Sequence, residues 1–311
     1  MLATLTDRYF SDPNWIFERK LDGVRAVCVR AGGAEPVLWS RNRRPMNAAY
    51  PELVEALAAQ SGDEFTVDGE IVAFDGRQTS FAKLQPRIHL GDPARARATG
   101  IEVFYYLFDL LDFGGTDATA LPLRQRKQLL RQAFDFHDPI RLSRYRNTDG
   151  ERFLREACAE GWEGLIAKRA NAPYRGGRSR DWLKFKCVKD QEFVVGGFTD
   201  PAGSRTGFGA LLVGYYSGRT LRYAGKVGTG YNDAMLRDLR RRFDALARPS
   251  APFADPVREV GSHWVEPELV VEVGFTEWTE DGRLRHPRFR GLREDKPATE
   301  VVREIPERGV H

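Results

Sequence analysis

Lysine is scarce in this 311-residue chain, with nine lysines against 39 arginines. Arginine keeps its proton inside a protein, so it cannot serve where a neutral amine must attack. Five of the nine lysines, Lys20, Lys168, Lys184, Lys186 and Lys296, fall in short segments that also carry carboxylates, glycines or aromatic rings. The segment around Lys20 reads Glu18-Arg19-Lys20-Leu21-Asp22-Gly23-Val24-Arg25. Apolar Trp15 to Phe17 precedes it, Asp22-Gly23 is a turn signal, and Val24 to Val29 returns as a strand. Lys20 is therefore expected at a turn, where its side chain can project into a cleft. A lysine there becomes a nucleophile when burial or neighbouring cations lower its pKa.

Other segments carry compatible chemistry. Val37-Leu38-Trp39-Ser40-Arg41-Asn42 reads as a short strand running into a basic loop that continues to Arg43 and Arg44. Asp68-Gly69-Glu70 interrupts an apolar strand, a local conflict that marks a bulge or a functional site. Phe108, beside Asp109 in an aromatic strand, suits the wall of a flat base pocket. Glu163 stands at the mouth of an apolar run ending in Lys168. In Trp182-Leu183-Lys184-Phe185-Lys186 strict alternation puts Lys184 and Lys186 on one strand face. Two like charges there call for an anion between them, and a phosphate would serve.

These residues need a scaffold of strands with few helices. The pattern predicts a helix from Pro51 to about Ala59, strands over 65–74 and 101–111, and helices over 123–133 and 148–160. Thr148 and Glu151 form a capping-box pair for the last of these. A second domain is expected from Val188, with strands over 193–199, 210–216, 220–227, 264–266 and 269–277 and one helix from Asn232 to Ala247. Such a count suggests a small Greek-key barrel of the OB type. The chain ends in a basic run, Arg283, Arg285, His286, Arg288 and Arg290, followed by Arg293-Glu294-Asp295-Lys296.

The net charge is +4. Residues 1–187 hold 29 basic against 25 acidic residues and the remainder 19 against 19, so the excess lies in the first part. That permits a polyanionic partner. No run approaches the roughly 18 apolar residues of a membrane helix, and the N-terminal residues have no signal-peptide pattern. The three cysteines, Cys28, Cys158 and Cys187, lack metal-ligand spacing and lie far apart, which suggests a reducing cytoplasm and argues against disulfides or a zinc site. The histidines show no paired spacing.

Taken in order, the segments resemble the motif set of the covalent nucleotidyltransferases: ATP-dependent DNA ligases, RNA ligases and mRNA capping enzymes. Lys20-Leu21-Asp22-Gly23-Val24-Arg25 resembles motif I, and Ser40-Arg41-Asn42 the short motif after it. Asp68-Gly69-Glu70 resembles motif III, Phe108-Asp109 motif IIIa, Glu163 to Lys168 motif IV, Trp182 to Lys186 motif V, and Arg293 to Lys296 motif VI. Within this superfamily the chain is similar over nearly its whole length to the ligase module of bacterial ligase D, an enzyme of non-homologous end joining. It looks like a minimal two-domain ligase without that enzyme's polymerase and phosphoesterase domains.

The resemblance implies an α+β adenylation domain of antiparallel sheets with flanking helices over residues 1–187, then an OB-fold barrel over 188–311. It implies ATP as cofactor, held as lysyl-AMP on Lys20, with Mg2+ or Mn2+. Lys184 and Lys186 would bracket the α-phosphate, and Asp22 belongs to the same catalytic motif as Lys20. Glu163 and Glu70 would hold the metal, Glu70 also serving the ribose. Arg25 and Arg41 would reach ribose and the nick phosphate. Phe108 would stack on adenine, with Glu18 and Lys168 near the nucleotide. Asp295, Arg293 and Lys296 would close from the second domain through a hinge near Val188 to Asp190. The implied partner is nicked or broken duplex DNA met by a monomer in the cytoplasm, at the bacterial nucleoid, with a Ku-like end-binding protein and no membrane. An RNA ligase or capping-type transferase shares the lysine chemistry. A non-catalytic DNA-end binding protein would share only the fold.

Overall fold

The computed structural model describes residues 1–187, 189–201, 206–293 and 296–305, for Lys189 the backbone alone. The chain divides into two compact units, the first Met1–Cys187 with the segment from Ile305, the second Val188–Glu304. Among the described residues the first unit contains two large sheets and the small ribbon Phe74–Asp75 with Gln78–Thr79. One runs in the order Leu2–Leu5, Arg178–Lys186, Gly164–Arg169, Trp15–Arg19, Tyr145–Asn147. The other runs Ile140–Leu142, Phe104–Phe113, Phe65–Val72, Val24–Arg30, Val37–Ser40, with Thr116–Asp117 against Phe104–Phe113. Neighbours are antiparallel except at the pairs Leu2–Leu5 with Arg178–Lys186 and Ile140–Leu142 with Phe104–Phe113.

The second sheet buries Val24, Ala26, Cys28, Val67, Ile71, Tyr105 and Leu107 in a core with the helix Pro51–Ala58. Alternation then turns Arg25, Glu70 and Tyr106 to the opposite face in one cross-strand row. On the first sheet, Phe17, Leu165, Ala167 and Phe185 pack with Phe153, Leu154 and Ala157 of the helix Gly150–Ala159. Glu18, Ile166, Lys168, Lys184 and Lys186 take the other face. A wedge between the two sheets receives these outward-facing rows.

Two expectations change here. The strands flanking Lys20 do not pair with each other: Trp15–Arg19 and Val24–Arg30 belong to different sheets, so Lys20 lies where the chain crosses between them. The capping box is absent. Thr148 has a positive φ of 64° and donates its hydroxyl to the Asn147 carbonyl, while the Glu151 amide donates to Ser11 Oγ at 3.2 Å. A serine 140 residues away in sequence does what local spacing assigned to Thr148.

The second unit is built on a large antiparallel sheet around the long strand Lys189–Thr199, which pairs with Leu211–Ser217, Ser262–Val265 and Val270–Phe275, with Glu277–Trp278 and Leu284–Arg285 as a separate ribbon. Thr220–Val227 and Arg288–Leu292 extend it. The register skips Gly196, a bulge that bends the strand, and apolar clusters fill both sides. The helix Asp233–Ala245 starts at Asn232, whose side chain accepts from the Met235 amide at 2.9 Å. The basic run holds a strand the sequence pattern missed: in Arg288–Leu292 Phe289 and Leu292 face the core between exposed arginines. No helix among the described residues is long and apolar enough to cross a membrane.

Candidate active site

Lys20 leaves the end of Trp15–Arg19, and its amide donates to the Gly164 carbonyl at 2.9 Å. Its ammonium pairs directly with Glu163 Oε1. Two glycines make this approach possible. Gly23 passes so close to the Ile71 carbonyl that a Cβ would lie 2.2 Å from it. Gly164 has φ 146°, and a Cβ there would fall 2.0 Å from the Phe185 carbonyl. Asp22 anchors the loop from the other side, accepting the Phe81 amide at 3.0 Å, while its own amide donates to Thr79 Oγ1 at 3.0 Å.

Strand register sets the rest of this face. Lys186 pairs with Gly164, beside Lys20. Lys184, Ile166 and Glu18 form the next row, and Trp182, Lys168 and Ile16 the one after. The sequence alternation of Lys184 and Lys186 therefore holds, and both stand on the face that carries Glu18 and Lys168. Glu163 Oε2 is buried with no hydrogen-bond partner. A hard carboxylate oxygen left in that condition beside a strand face bearing Lys184 and Lys186 suits a divalent cation.

Arg25 is held inside the wedge. Its Nε donates to Asp68 Oδ1 at 2.9 Å, its other nitrogens reach Asp68 Oδ2, the Met1 carbonyl and the Tyr174 hydroxyl, and Tyr174 in turn donates to Asp68 at 2.8 Å. Burial would raise the Asp68 carboxyl, but Arg25 outweighs it and holds Asp68 below its ordinary value. Burial likewise works against the Arg25 charge, and Asp68 with Glu70 nearby restores it. The expectation that Arg25 reaches ribose or phosphate thus meets a guanidinium already clamped by protein. Phe108 packs with Met1, Trp182 and Tyr174, its ring centroid 5.7 Å from that of Trp182.

Lys168 lies behind Phe108, its ammonium 4.2 Å from the Phe108 ring centre and 4.1 Å from that of Trp182. It also donates to Glu18 Oε2 at 3.0 Å. Burial lowers the Lys168 pKa to about 8, with Glu18 opposing and Lys127 adding to the fall. Glu18 is buried too, yet Lys127 and Lys168 together hold it below its ordinary value.

Several residues of this cluster had no role assigned to them: Asp68, Asp109 and Trp182 inside the motif segments, and Tyr174, Ser143, Lys127 and Arg126 outside them, Arg126 being paired with buried Asp109 at 2.7 Å. A signal for two of them existed. Leu123, Arg126, Lys127 and Leu130 are the buried residues of the helix Leu123–Ala133, so an arginine and a lysine occupy its apolar stripe.

Arg41 stays exposed on the loop after Ser40, leaving the sheet at the level of Arg25 because Ser40 pairs with Ala26. Glu70 stands on the second sheet and Glu163 at the edge of the first. In the second unit Arg293 lies 3.3 Å from Glu272, and Lys296 pairs with Glu192. Asp295, and Val188 of the expected hinge, lie outside the described residues. One further expectation is overturned: Cys158 and Cys187 form a disulfide, joining the helix Gly150–Ala159 to the residue after Lys186. Linear separation concealed it, because strand pairing brings the end of Arg178–Lys186 beside Gly164.

A lysine at the crossing between two mainly antiparallel sheets, with a second β unit following in sequence, has the architecture of a nucleotidyltransferase of the ligase type. Residues 1–186 match the ATP dependent DNA ligase domain, and 204–296 match the ATP dependent DNA ligase C terminal region; the chain belongs to the ATP-dependent DNA ligase family. It is 40% identical over 94% of its length to the multifunctional non-homologous end joining protein LigD of Pseudomonas aeruginosa, covering 35% of that protein. It is 37% identical over 93% of its length to the Mycobacterium tuberculosis LigD, covering 37%. The chain thus spans little more than a third of these relatives. A solved mycobacterial DNA ligase D complexed with ATP and MES aligns over 97% of this chain and 98% of its own, at 33% identity and a TM-score of 0.68. The fold is accordingly an adenylation unit followed by an OB-fold unit, and the DNA ligase reading stands over the RNA-ligase, capping and non-catalytic alternatives.

Proposed function

We propose that this chain seals breaks in duplex DNA by three phosphoryl transfers, the first two through Lys20. The observation that carries the reading is the contact of Lys20 with Glu163 at the crossing between the sheets, on the face that presents Lys184 and Lys186. Lys20 loses its proton and its Nζ attacks the α-phosphorus of ATP; the N–P bond forms as the bond to pyrophosphate breaks. A DNA 5′-phosphate oxygen then takes the AMP and Lys20 leaves. The 3′-hydroxyl attacks that 5′-phosphorus, AMP departs, and the strand is joined.

Such transfers depend on placing the reactants and neutralising the non-bridging oxygens. Lys184 and Lys186 flank the α-phosphate, Phe108 provides the adenine wall, and Asp22 fixes the loop bearing Lys20. Arg25, clamped by Asp68, shapes the ribose side, and Arg41 meets the DNA backbone. A Mg2+ or Mn2+ ion held by Glu163 Oε2, with Glu70, would add charge neutralisation at the phosphates. Arg293, Lys296 and Asp295 act from the second unit on the pyrophosphate, with 188–190 as the hinge between 1–187 and 188–311. Likeness to LigD supports end joining as the setting and a Ku-like protein as partner.

The test is intact mass after incubation with ATP and Mg2+ or Mn2+. A gain of one AMP in wild type and not in Lys20→Ala, reversed by pyrophosphate, supports the reading. No adduct with either metal, in protein free of bound AMP at the start, overturns it.

A further inference from the structure

The ribbon of Phe74–Asp75 with Gln78–Thr79 belongs to neither large sheet, yet it touches both the Lys20 loop and the Glu163 turn. It is rooted on the second sheet, where the Phe74 ring meets that of Phe104 edge-on, centroids 5.6 Å apart. Its last residue, Thr79, supplies the Oγ1 that accepts the Asp22 amide at 3.0 Å. The Ser80 amide donates to the Ala73 carbonyl at 3.0 Å and closes the ribbon, and the Phe81 amide just beyond donates to Asp22 Oδ2 at 3.0 Å. The tip of the ribbon reaches the first sheet. A Cβ at Gly161 would lie 2.3 Å from Gln78 Nε2, so the Gln78 side chain rests directly on the turn that leads into Glu163. Arg19 and Trp162, the neighbours of Lys20 and Glu163, also meet: the Arg19 guanidinium lies 4.5 Å from the Trp162 ring centre.

These contacts answer a need that the sheet topology creates. After Lys20 the chain leaves one sheet for the other, so no strand ladder takes up the Asp22 amide. A side-chain hydroxyl does so instead. Threonine suits that task because its branched Cβ stiffens χ1 and fixes the oxygen. The loop is thus tied through a backbone amide and a carboxylate to one short segment, and Lys20, two residues earlier, pairs with Glu163. Phosphoryl transfer needs the attacking nitrogen in line with the departing pyrophosphate, and a displacement of about 1 Å costs up to roughly 10²-fold. A ribbon in contact with both partners sets where Lys20 stands relative to Glu163.

From this geometry we infer that Thr79 is a positioning residue for attack by Lys20, acting through Asp22, with Gln78 bracing the Glu163 turn from the same ribbon. This rests on the nucleotidyl-transfer reading above. Its consequence differs among the three transfers. The first forms the bond between Lys20 and phosphorus and the second breaks it, so both need Lys20 in place. In the third the DNA 3′-hydroxyl attacks and Lys20 has already left.

The experiment measures two rates in wild type, Thr79→Val, Thr79→Ser and Gln78→Ala, with thermal melting alongside. One is lysyl-AMP formation by intact mass over a range of ATP. The other is sealing of a nicked duplex whose 5′-phosphate already carries AMP. Thr79→Val keeps the side-chain shape and removes the acceptor. It should slow lysyl-AMP formation at saturating ATP at least about tenfold with little change in KM for ATP, and leave sealing of the adenylated nick within about twofold of wild type. Thr79→Ser should recover most of the loss, and Gln78→Ala should show the same pattern by a smaller factor. If Thr79→Val does not fold, Gln78→Ala decides, because Gln78 is exposed and its truncation leaves the core intact. An unchanged adenylation rate in the folded variants overturns the inference, as does a loss carried by KM, an equal loss in both assays, or failure of serine to rescue. Failure of wild type to form lysyl-AMP instead sinks the underlying reading.

Discussion

Glu163 touches Lys20 through Oε1 and leaves Oε2 buried without a hydrogen-bond partner. The same carboxylate thus pairs with the proposed nucleophile and has an oxygen left for the proposed cation. Glu163→Gln keeps the shape and removes the charge. Self-adenylation should fall roughly 10²-fold, with the Mg2+ or Mn2+ needed for half-maximal rate moving upward. A metal-titration series on both proteins checks this, and an unchanged metal requirement would remove Glu163 from cation binding.

Arg25 and Asp68 pair on neighbouring strands of the second sheet, with the Met1 carbonyl and the Tyr174 hydroxyl as further partners. Asp68→Asn leaves a largely buried guanidinium without its counter-charge. Stability of the first unit should drop by about 3 kcal/mol. Urea unfolding followed by tryptophan fluorescence would read this, since Trp182 packs against the pair.

The buried charges give stability a defined pH dependence. Glu18 and Asp68 titrate below their ordinary values of 4.5 and 3.8, so their contribution is complete above those values and is lost as pH falls through the lower folded values. Lys168 has the opposite logic. Its folded pKa of about 8 lies below the ordinary 10.5, so the unfolded chain binds more protons between them and the Lys168 contribution to stability rises with pH over that interval. Melting curves from pH 3 to 10 should show a steep acid limb. Lys168→Met should remove the alkaline rise, and its persistence in that variant would assign it elsewhere.

The Cys158–Cys187 bridge is reachable by small thiols because Cys158 is exposed. Reduction should destabilise the first unit by about 2–4 kcal/mol. Melting with and without dithiothreitol, matched against Cys158→Ser, measures it. Equal melting in all three samples would show that the bridge adds no stability.

Arg41, Arg43 and Arg44 form an exposed basic loop. Replacing all three by alanine should weaken binding to nicked duplexes of any sequence alike and reduce the slope of log K against log salt by up to roughly 3. An unchanged slope would place the DNA elsewhere.

The sequence alone determined the chemistry on offer and much of the local structure. Lysine scarcity singled out Lys20, Lys184 and Lys186, and period-two alternation put the last two on one strand face, because side-chain direction in a strand depends only on parity. The helix Leu123–Ala133 was legible for a similar reason: its 3.6-residue period is local. Tertiary structure decided what faces what. That Trp15–Arg19 and Val24–Arg30 join different sheets, that Ser11 replaces Thr148 at a helix start, and that Cys158 meets Cys187 all depend on contacts between segments distant in sequence. The convergence of Lys127, Lys168 and Ser143 on Glu18 is of the same kind. Each is an unremarkable polar residue along the chain, and only burial in one wedge, where desolvation must be offset by exact partners, makes them a single unit.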